Sequence, residues 1–205
     1  MQKTARCGIL SPEKGGDHKM EVKKLLSLLE QDPVIAAIGN DKWDDALQFP
    51  GKVIFYLSAD LLTLEEKIKS AHEAHKLVMV HLDLAEGIGK DRTGVAYLTK
   101  CGVDGIITTK SSLIRYAKEQ GLIAIQRCFA LDSRGLDSIA ETLHNTTPHL
   151  MEIMPGVIPK VIERFSKSGI PVIAGGLLQT KAEVTEALGA GATAVSTGSK
   201  ALWYL

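Results

Sequence analysis

The sequence has few of the residues that stabilise disulfide-rich domains, and it lacks a long apolar run. Its 205 residues include three cysteines, Cys7, Cys101 and Cys128, which lie far apart and form no CxxC pair. An odd number of scattered cysteines argues against a disulfide framework and against a cysteine zinc site, so a reducing cytoplasm is the expected compartment. No stretch of about 18 apolar residues occurs, so no transmembrane helix is predicted.

The chain also has no excess of charge and few aromatic side chains. Lys and Arg total 24, Asp and Glu total 24, and aromatic residues make up 5%. Nothing global therefore draws the protein to nucleic acid or to a membrane, although a local basic patch is left open. The nucleotide-binding, zinc-protease and esterase motifs GxGxxG, GxxxxGK[ST], HExxH and GxSxG are absent.

Residues 1–19 are predicted to be a polar leader outside the folded domain. They contain no apolar segment of the kind found in a signal peptide, and residues 15–19 read Gly-Gly-Asp-His-Lys. Such a terminus is typical of a mobile segment or a remnant of expression. The expected folded domain is therefore 20–205, and it begins with a surface helix over 20–30.

Short apolar segments alternate with helical patterns eight times along the chain. The first segment covers residues 34–39, the third 77–84 and the eighth 194–197. This alternation predicts parallel strands joined by crossover helices. Eight such units favour an α/β fold, a compact single-domain TIM-like (β/α)8 barrel with an extra N-terminal helix. An open doubly wound sheet is the alternative.

Several helix starts carry the side chains expected of N-caps. Thr63 with Glu66, and Thr180 with Glu183, have the spacing of a capping box. Ser111 or Ser112 is expected to cap the helix after the fourth strand.

Residues 170–199 contain the strongest candidate for a binding site. Two short apolar strands in this stretch each end in small residues, and in a barrel the loops after strands seven and eight usually bind phosphate. Glycines let the backbone approach an anion closely, and a helix N-terminus adds partial positive charge. The predicted phosphate site consists of Gly175, Gly176, Ser196, Thr197 and Gly198.

Polar residues at the end of the third strand form a second candidate group. His81 and Asp83 are two residues apart, so on a strand both would point the same way, and burial among the helices would leave them unpaired. We therefore expect them to point inward near the mouth of the barrel, with Glu86 on the loop beyond. A structural pair, a site for ligand hydroxyls, a general base and a divalent-ion site are the alternatives.

Three further polar residues have more than one interpretation. Lys110 closely follows the fourth strand and is a solvated lysine, a phosphate partner or, if desolvated, a Schiff-base lysine. Gln126 and Arg127 are adjacent on the fifth strand, so only one of them can line the interior. Glu152 lies in an apolar strand and is expected to point inward, where Arg127 or Lys110 could pair with it.

Taken together, these segments closely resemble the glycerol-3-phosphate-responsive antiterminators that regulate bacterial glycerol-uptake operons. The matching stretches run in order along nearly the whole of residues 20–205. They include His-Leu-Asp-Leu-Ala-Glu-Gly at 81–87, Asp-Gly-Ile-Ile-Thr-Thr-Lys at 104–110, Gln-Arg at 126–127, Glu-Ile-Met-Pro-Gly at 152–156, Ile-Ala-Gly-Gly at 173–176 and Ala-Val-Ser-Thr at 194–197.

The resemblance implies a cytoplasmic regulator rather than an enzyme, with no cofactor and no metal. It implies that glycerol 3-phosphate is the effector and that leader mRNA is the target, so that termination is prevented or the transcript is stabilised. By position, the predicted phosphate residues would hold the phosphate group. The glycerol end or the wall of the pocket would involve His81, Asp83, Glu86, Lys110, Arg127 and Glu152.

The sequence does not identify the surface that contacts RNA. No motif of a known RNA-binding module is present, and a homodimer that joins two weak patches is one way to gain affinity. The alternative function is a TIM-barrel lyase, isomerase or transferase that acts on a small phosphorylated substrate. The candidate basic residues for RNA binding are Lys23, Lys24, Lys90, Arg92, Lys110 and Arg115.

Overall fold

The computed structural model describes residues 17–205, and in it the eight predicted strands close into one parallel barrel. Each strand pairs with its neighbours in chain order, and the first strand pairs with the eighth. The predicted barrel is confirmed, and the open doubly wound alternative is wrong. The strands are β1 (Val34–Ile38), β2 (Val53–Tyr56), β3 (Leu77–His81), β4 (Gly105–Thr108), β5 (Ile123–Phe129), β6 (Leu150–Met154), β7 (Val172–Gly175) and β8 (Ala194–Thr197).

Eight α-helices accompany these strands within the described range. The extra N-terminal helix is present and begins at Asp17, and the remainder of the predicted leader, 1–16, lies outside the described residues. A single 3-10 turn, Lys200–Leu202, takes the place of the last barrel helix. The helices are α1 (Asp17–Gln31), α2 (Trp43–Gln48), α3 (Leu64–Glu73), α4 (Arg92–Lys100), α5 (Ser111–Glu119), α6 (Ser133–Thr146), α7 (Pro159–Ser166) and α8 (Lys181–Gly189).

Alternation along the strands divides the core into an inner and an outer part. The inner part includes Phe55, Met79 and Ile125, whose side chains fill the barrel as a packed core rather than a pore. Leu25 and Leu29 of α1 belong to the same cluster, so α1 packs against the N-terminal end of the barrel. The ligand-accessible mouth is therefore at the opposite end, where the strands finish.

The third strand is shorter than predicted. It ends at His81, and a 3-10 turn over Leu82–Leu84 follows it. Asp83 therefore lies on this turn instead of on the strand, and its position beside His81 comes from the turn and not from strand alternation.

Two of the predicted helix caps are wrong. Thr63 precedes α3 but has φ −109° and ψ −10°, and its side chain caps nothing. An N-cap side chain reaches the next turn from an extended residue, as Thr180 does in the capping box with Glu183 that the structure confirms. At α5 the N-cap residue is Lys110, so neither Ser111 nor Ser112 occupies the capping position.

None of the helices within residues 17–205 has the length and apolarity needed to cross a bilayer.

Candidate functional site

The floor of the barrel mouth contains a buried ion pair between β5 and β6. The inward residue of the adjacent pair on β5 is Arg127, while the Gln126 amide donates to the carbonyl of Thr109 at 2.9 Å. The Nε of Arg127 donates to Oε2 of Glu152 at 2.6 Å, with side-chain exposures of 8% and 1%. Of the two partners considered for Glu152, Arg127 is therefore the one that contacts it.

The second carboxylate oxygen of Glu152 also has a partner. Ser196 on β8 donates its hydroxyl to Oε1 at 2.7 Å. One carboxylate therefore accepts hydrogen bonds from β5 and from β8, which offsets the cost of burying its charge.

Gly175 has to be a glycine because of this arrangement. A Cβ at this position would lie 2.5 Å from Oε1 of Glu152 and 2.7 Å from the hydroxyl oxygen of Ser196. Both distances are well below van der Waals contact, so any side chain would displace the buried hydrogen bond. Gly176 follows with φ +76°, a backbone conformation that favours glycine.

A cavity of about 430 Å³ opens above the ion pair. It brings together four of the five predicted phosphate residues, and the fifth, Gly175, lies beneath them against Glu152. Apolar side chains, including Leu57 and Leu177, complete the wall. The predicted phosphate residues in the lining are Gly176, Ser196, Thr197 and Gly198, and both Arg127 and Glu152 also line it.

The hydroxyl groups of Ser196 and Thr197 in this cavity are already engaged as donors. Ser196 donates to Glu152, and Thr197 donates to the carbonyl of Leu178 at 3.3 Å. The guanidinium of Arg127 is different, because among the described residues only its Nε has a hydrogen-bond acceptor. Its two terminal amino groups are thus free to donate to an anion in the cavity.

Lys42 is a residue of this site that the sequence analysis missed. It lies at the end of the 3-10 turn Asn40–Lys42 after β1, and its Nζ donates to the carbonyl of Gly198 at 2.8 Å. The signal for it was available, because a closed barrel places the loop after β1 beside the loop after β8. Lys42 therefore adds a positive charge to the edge of the predicted phosphate site.

His81 is buried beside Asp83 and has unused hydrogen-bonding capacity. It is 4% exposed, and within the described residues neither ring nitrogen has a hydrogen-bond partner. Its Nε2 lies 3.8 Å from Oδ2 of Asp83. Burial, followed by the charge of Arg127, lowers the pKa of His81 to about 4, so the ring is neutral and offers one donor and one acceptor.

Asp83 is held in place by the end of the neighbouring strand. It accepts hydrogen bonds from the Thr108 hydroxyl at 2.6 Å, the Thr109 amide at 2.7 Å and the Thr109 hydroxyl at 2.8 Å. Burial raises the pKa of Asp83, but these hydrogen bonds outweigh it and leave the pKa below its usual value. The carboxylate is therefore ionised and fastens the loop after β4 to the turn after β3.

The lining of the cavity does not include His81, Asp83, Lys110 or Glu86. Lys110 is exposed, and its Nζ lies 3.4 Å from the carbonyl oxygen of Lys90, so it lacks the desolvation that a Schiff-base lysine requires. Glu86 is also exposed and is held through its backbone amide, which donates to the carbonyl of Ala59 at 2.7 Å. Within residues 17–205, no three His, Cys, Asp or Glu side chains are arranged to hold a metal ion.

Comparison with known proteins supports the same regulatory family along most of the chain. The family described as "Glycerol-3-phosphate responsive antiterminator" matches residues 34–203. A relative in Escherichia coli (strain K12), the uncharacterized protein YgcP, is 34% identical over 184 residues, which cover 88% of this chain and 96% of that protein.

Solved structures agree with this match. The glycerol uptake operon antiterminator regulatory protein from Listeria monocytogenes str. 4b F2365 is 32% identical, with a TM-score of 0.80 over 84% of this chain and 95% of that one. A glycerol uptake operon antiterminator-related protein from Thermotoga maritima MSB8 is 34% identical, with a TM-score of 0.76 over 83% and 96% of the two chains. Deoxyribose phosphate aldolase from Aeropyrum pernix, at 12% identity, a TM-score of 0.65 and coverage of 92% and 95%, shares the fold alone.

The prediction of a regulator rather than an enzyme is confirmed by the family match, and the resemblance seen in the sequence is confirmed with it. The chain belongs to the glycerol-3-phosphate-responsive antiterminator family.

Proposed function

We propose that this protein binds glycerol 3-phosphate in the barrel mouth and, in response, acts in the cytoplasm on the leader mRNA of glycerol-metabolism genes. The action on RNA is to prevent transcription termination or to stabilise the transcript. The proposal is supported by the family match over residues 34–203 and by the chemistry of the mouth cavity.

The observation that carries the proposal is the pair of terminal amino groups of Arg127, which lie beneath the loops after β7 and β8 and have no acceptor among the described residues. A phosphate group in this cavity would receive hydrogen bonds from the two terminal amino groups of Arg127, which have no acceptor among the described residues. Gly176 and Gly198 allow the backbone to approach the phosphate, and Lys42 adds charge. Ser196 and Thr197 shape the cavity, and Ser196 keeps the acidic Glu152 engaged.

The glycerol end would lie toward His81. A neutral imidazole with two unpaired nitrogens can both donate to and accept from a ligand hydroxyl, which would satisfy groups that are now buried without partners. Asp83 lies within 3.8 Å of the same ring. In this proposal Glu86 and Lys110 take part only by closing over the ligand, because both are on the loops that follow Asp83 and Thr108.

The response follows if the ligand binds one arrangement of these loops more tightly than another. A bound effector shifts the balance between two states only through its difference in affinity for them. The hydrogen bonds from Thr108 and Thr109 to Asp83 are the physical connection from the ligand site to the loop after β4.

The ligand is tested by thermal unfolding with glycerol 3-phosphate, glycerol and inorganic phosphate. At about 100 times its dissociation constant, a ligand adds about 2.7 kcal/mol of apparent stability. We expect stabilisation by glycerol 3-phosphate, and much weaker effects of glycerol and phosphate at equal concentration. An equal response to all three, or none, would contradict the proposed effector.

The target is tested by a gel-shift experiment with leader RNA, with and without glycerol 3-phosphate. We expect binding that depends on the effector. An unrelated RNA of equal length should compete poorly for the protein. Light scattering of the same samples measures whether a homodimer forms the complex. Folded protein that responds to glycerol 3-phosphate but binds no leader RNA would contradict the RNA part of the proposal.

A further inference from the structure

A groove with basic and aromatic side chains runs along the outer face of α5, away from the mouth cavity. Its volume is about 300 Å³, and it lies between the start of α4 and the end of α6. We call it the α5 groove. Its lining includes Arg92, Arg115, Tyr116, Ser111, Glu119 and Asn145.

Positive charge is concentrated at and beside this groove. Arg92 and Arg115 line it, and Lys110 immediately precedes α5 with its Nζ 3.4 Å from the carbonyl oxygen of Lys90. Two acids are nearby: Glu119 lines the groove, and Asp91 caps α4 by accepting from the amide of Gly94 at 2.9 Å. Arg92, Lys110 and Arg115 against Asp91 and Glu119 leave a local excess of one positive charge, although the whole chain is neutral.

The aromatic side chain of the groove is paired with one of its arginines. The Cζ of Arg92 lies 5.0 Å from the centroid of the Tyr116 ring, within the range of a cation–π contact. Aromatic rings and guanidinium planes are the surfaces on which unpaired nucleic-acid bases stack. In a double helix the bases are already stacked on each other, so this pairing favours a single strand.

The composition of the groove also distinguishes nucleic acid from protein as the partner. Among the described residues that line it there is no Leu, Ile, Val or Met, and most side chains are charged or carry hydroxyl or amide groups. Protein interfaces also use Tyr and Arg, but their cores are depleted of Ser and Glu, both of which line this groove. Arginine, hydroxyl and amide groups are instead the donors that contact phosphate and sugar.

We propose that the α5 groove is the RNA-contacting surface, and that it binds a short single-stranded segment of the leader mRNA. The inference rests on the proposed function and adds the location and strandedness of the RNA contact. Arg92, Lys110 and Arg115 neutralise backbone phosphates, and Tyr116 stacks on a base. The nine residues of α5 span about 14 Å at 1.5 Å per residue, which suits a short extended segment.

The groove is joined to the ligand site through one loop. Thr109 bonds to Asp83 in the mouth, and the next residue, Lys110, belongs to the basic cluster beside the groove. A ligand-dependent change in the loop after β4 therefore moves a phosphate-binding lysine, which gives the effector a direct route to RNA affinity.

The test compares RNA affinity in two double variants at several salt concentrations, with glycerol 3-phosphate present. Arg92→Ala with Arg115→Ala removes two cations from the groove, and Lys23→Ala with Lys24→Ala removes two exposed lysines from α1 as the matched control. The groove variant should lose at least about tenfold in affinity, and its salt slope should fall by about 1.4, or 0.7 for each phosphate contact on a single strand. The control should change neither quantity.

Tyr116→Leu separates stacking from charge. It should lower affinity for single-stranded leader RNA by at least about fivefold, leave the salt slope unchanged, and have little effect on a duplex of the same sequence. All variants should keep the thermal shift with glycerol 3-phosphate, which shows that they are folded and that the ligand site is intact.

Three outcomes would overturn the inference in different ways. Equal loss in the α1 control, or no loss in the groove variant while wild-type protein binds RNA, would overturn the location and leave the proposed function standing. Equal binding of duplex and single strand, unaffected by Tyr116→Leu, would overturn the single-strand assignment. No RNA binding by wild-type protein that still responds to glycerol 3-phosphate would overturn both the groove and the RNA part of the proposed function.

Discussion

Arg127 and Glu152 form an ion pair that is almost entirely shielded from water, with Nε and Oε2 2.6 Å apart. The pair lies at the bottom of the mouth cavity, and the remaining donors of the guanidinium are the ones available to a ligand. The same contact therefore contributes to the fold and to the binding site, and substitutions at its two ends separate these contributions.

Glu152→Ala should be strongly destabilising. It leaves the Arg127 charge buried without its partner, and it also removes the acceptor of the Ser196 hydroxyl, so a loss of about 3–5 kcal/mol is expected. The measurement is the free energy of unfolding in urea. The matched control is Asp137→Ala, which breaks an exposed ion pair with Arg164 and should cost less than about 1 kcal/mol. Similar losses in the two variants would contradict the structural role given to the buried pair.

Gly175→Ala should disrupt the floor of the mouth. The added methyl group would overlap the Glu152 carboxylate and the Ser196 hydroxyl, and overpacking of this kind costs about 1–3 kcal/mol. We expect lower stability together with loss of the thermal shift from glycerol 3-phosphate. Gly189→Ala, where an added Cβ meets nothing within 4 Å, is the control and should be neutral or slightly stabilising. A Gly175→Ala protein that binds like wild type would show that the floor can rearrange.

Lys42→Ala should weaken binding of glycerol 3-phosphate with little effect on folding. Lys42 is partly exposed and touches the Gly198 loop through one hydrogen bond, so its charge is the larger part of its role. Calorimetric titration should show about a tenfold loss, equivalent to about 1.4 kcal/mol, and the loss should shrink at high salt. Lys69→Ala, on the exposed face of α3, is the matched control and should leave the affinity unchanged.

His81 should make the protein less stable in mild acid. Its pKa is lowered from 6.5 to about 4 in the folded protein, by burial first and by Arg127 second. Between those two values the unfolded chain binds a proton that the folded protein does not, so stability falls as the pH decreases through this window. The full loss from this residue is at most roughly 3 kcal/mol. Below the window, the lowered pKa of Asp83 adds a further loss.

The measurement is the urea midpoint between about pH 7 and pH 4, the range over which the shifted group titrates. His81→Gln should flatten the pH dependence in that range, and His144→Gln, at an exposed position, should preserve it. An unchanged slope in His81→Gln would show that other groups cause the acid sensitivity.

Asp83→Asn should separate ligand binding from the response to it. An amide oxygen cannot replace both carboxylate oxygens, so some of the three hydrogen bonds from Thr108 and Thr109 are lost. The substitution leaves the phosphate residues intact, so we expect the affinity for glycerol 3-phosphate to stay within about threefold of wild type. The effector should change the RNA affinity of this variant much less than it changes that of wild type. Loss of ligand binding itself would instead place Asp83 in direct contact with the glycerol.

The sequence was sufficient to predict the barrel because the signal is repeated eight times. Each strand is a short apolar segment, and each crossover carries a helical stripe, so an error in one unit leaves the others unaffected. The boundaries were less secure. The apolar residues Leu82 and Leu84 extend the pattern of β3 past His81. The chain instead forms a 3-10 turn there, which leaves Leu82 buried and Leu84 exposed.

Local rules failed where the backbone conformation was set by distant contacts. Thr63 and Thr180 have the same capping spacing, yet only Thr180 has the extended backbone that lets its hydroxyl reach the helix. The choice between Gln126 and Arg127 was also beyond the sequence, because it depends on the register in which β5 joins the closed sheet. The α5 groove is beyond the sequence for the same reason, since it combines segments of three helices that meet only in the folded chain.

The packing of Leu25 and Leu29 against the N-terminal end of the barrel makes the mouth a well with one opening. A ligand that arrives past Leu177 has to leave by the same route, so the loops at the rim impose the same barrier on arrival and on departure. A substitution that only narrows or widens this rim changes the association and dissociation rates by the same factor and leaves the equilibrium constant unchanged. The residence time of the effector, and with it the duration of the signal, can therefore vary independently of its affinity.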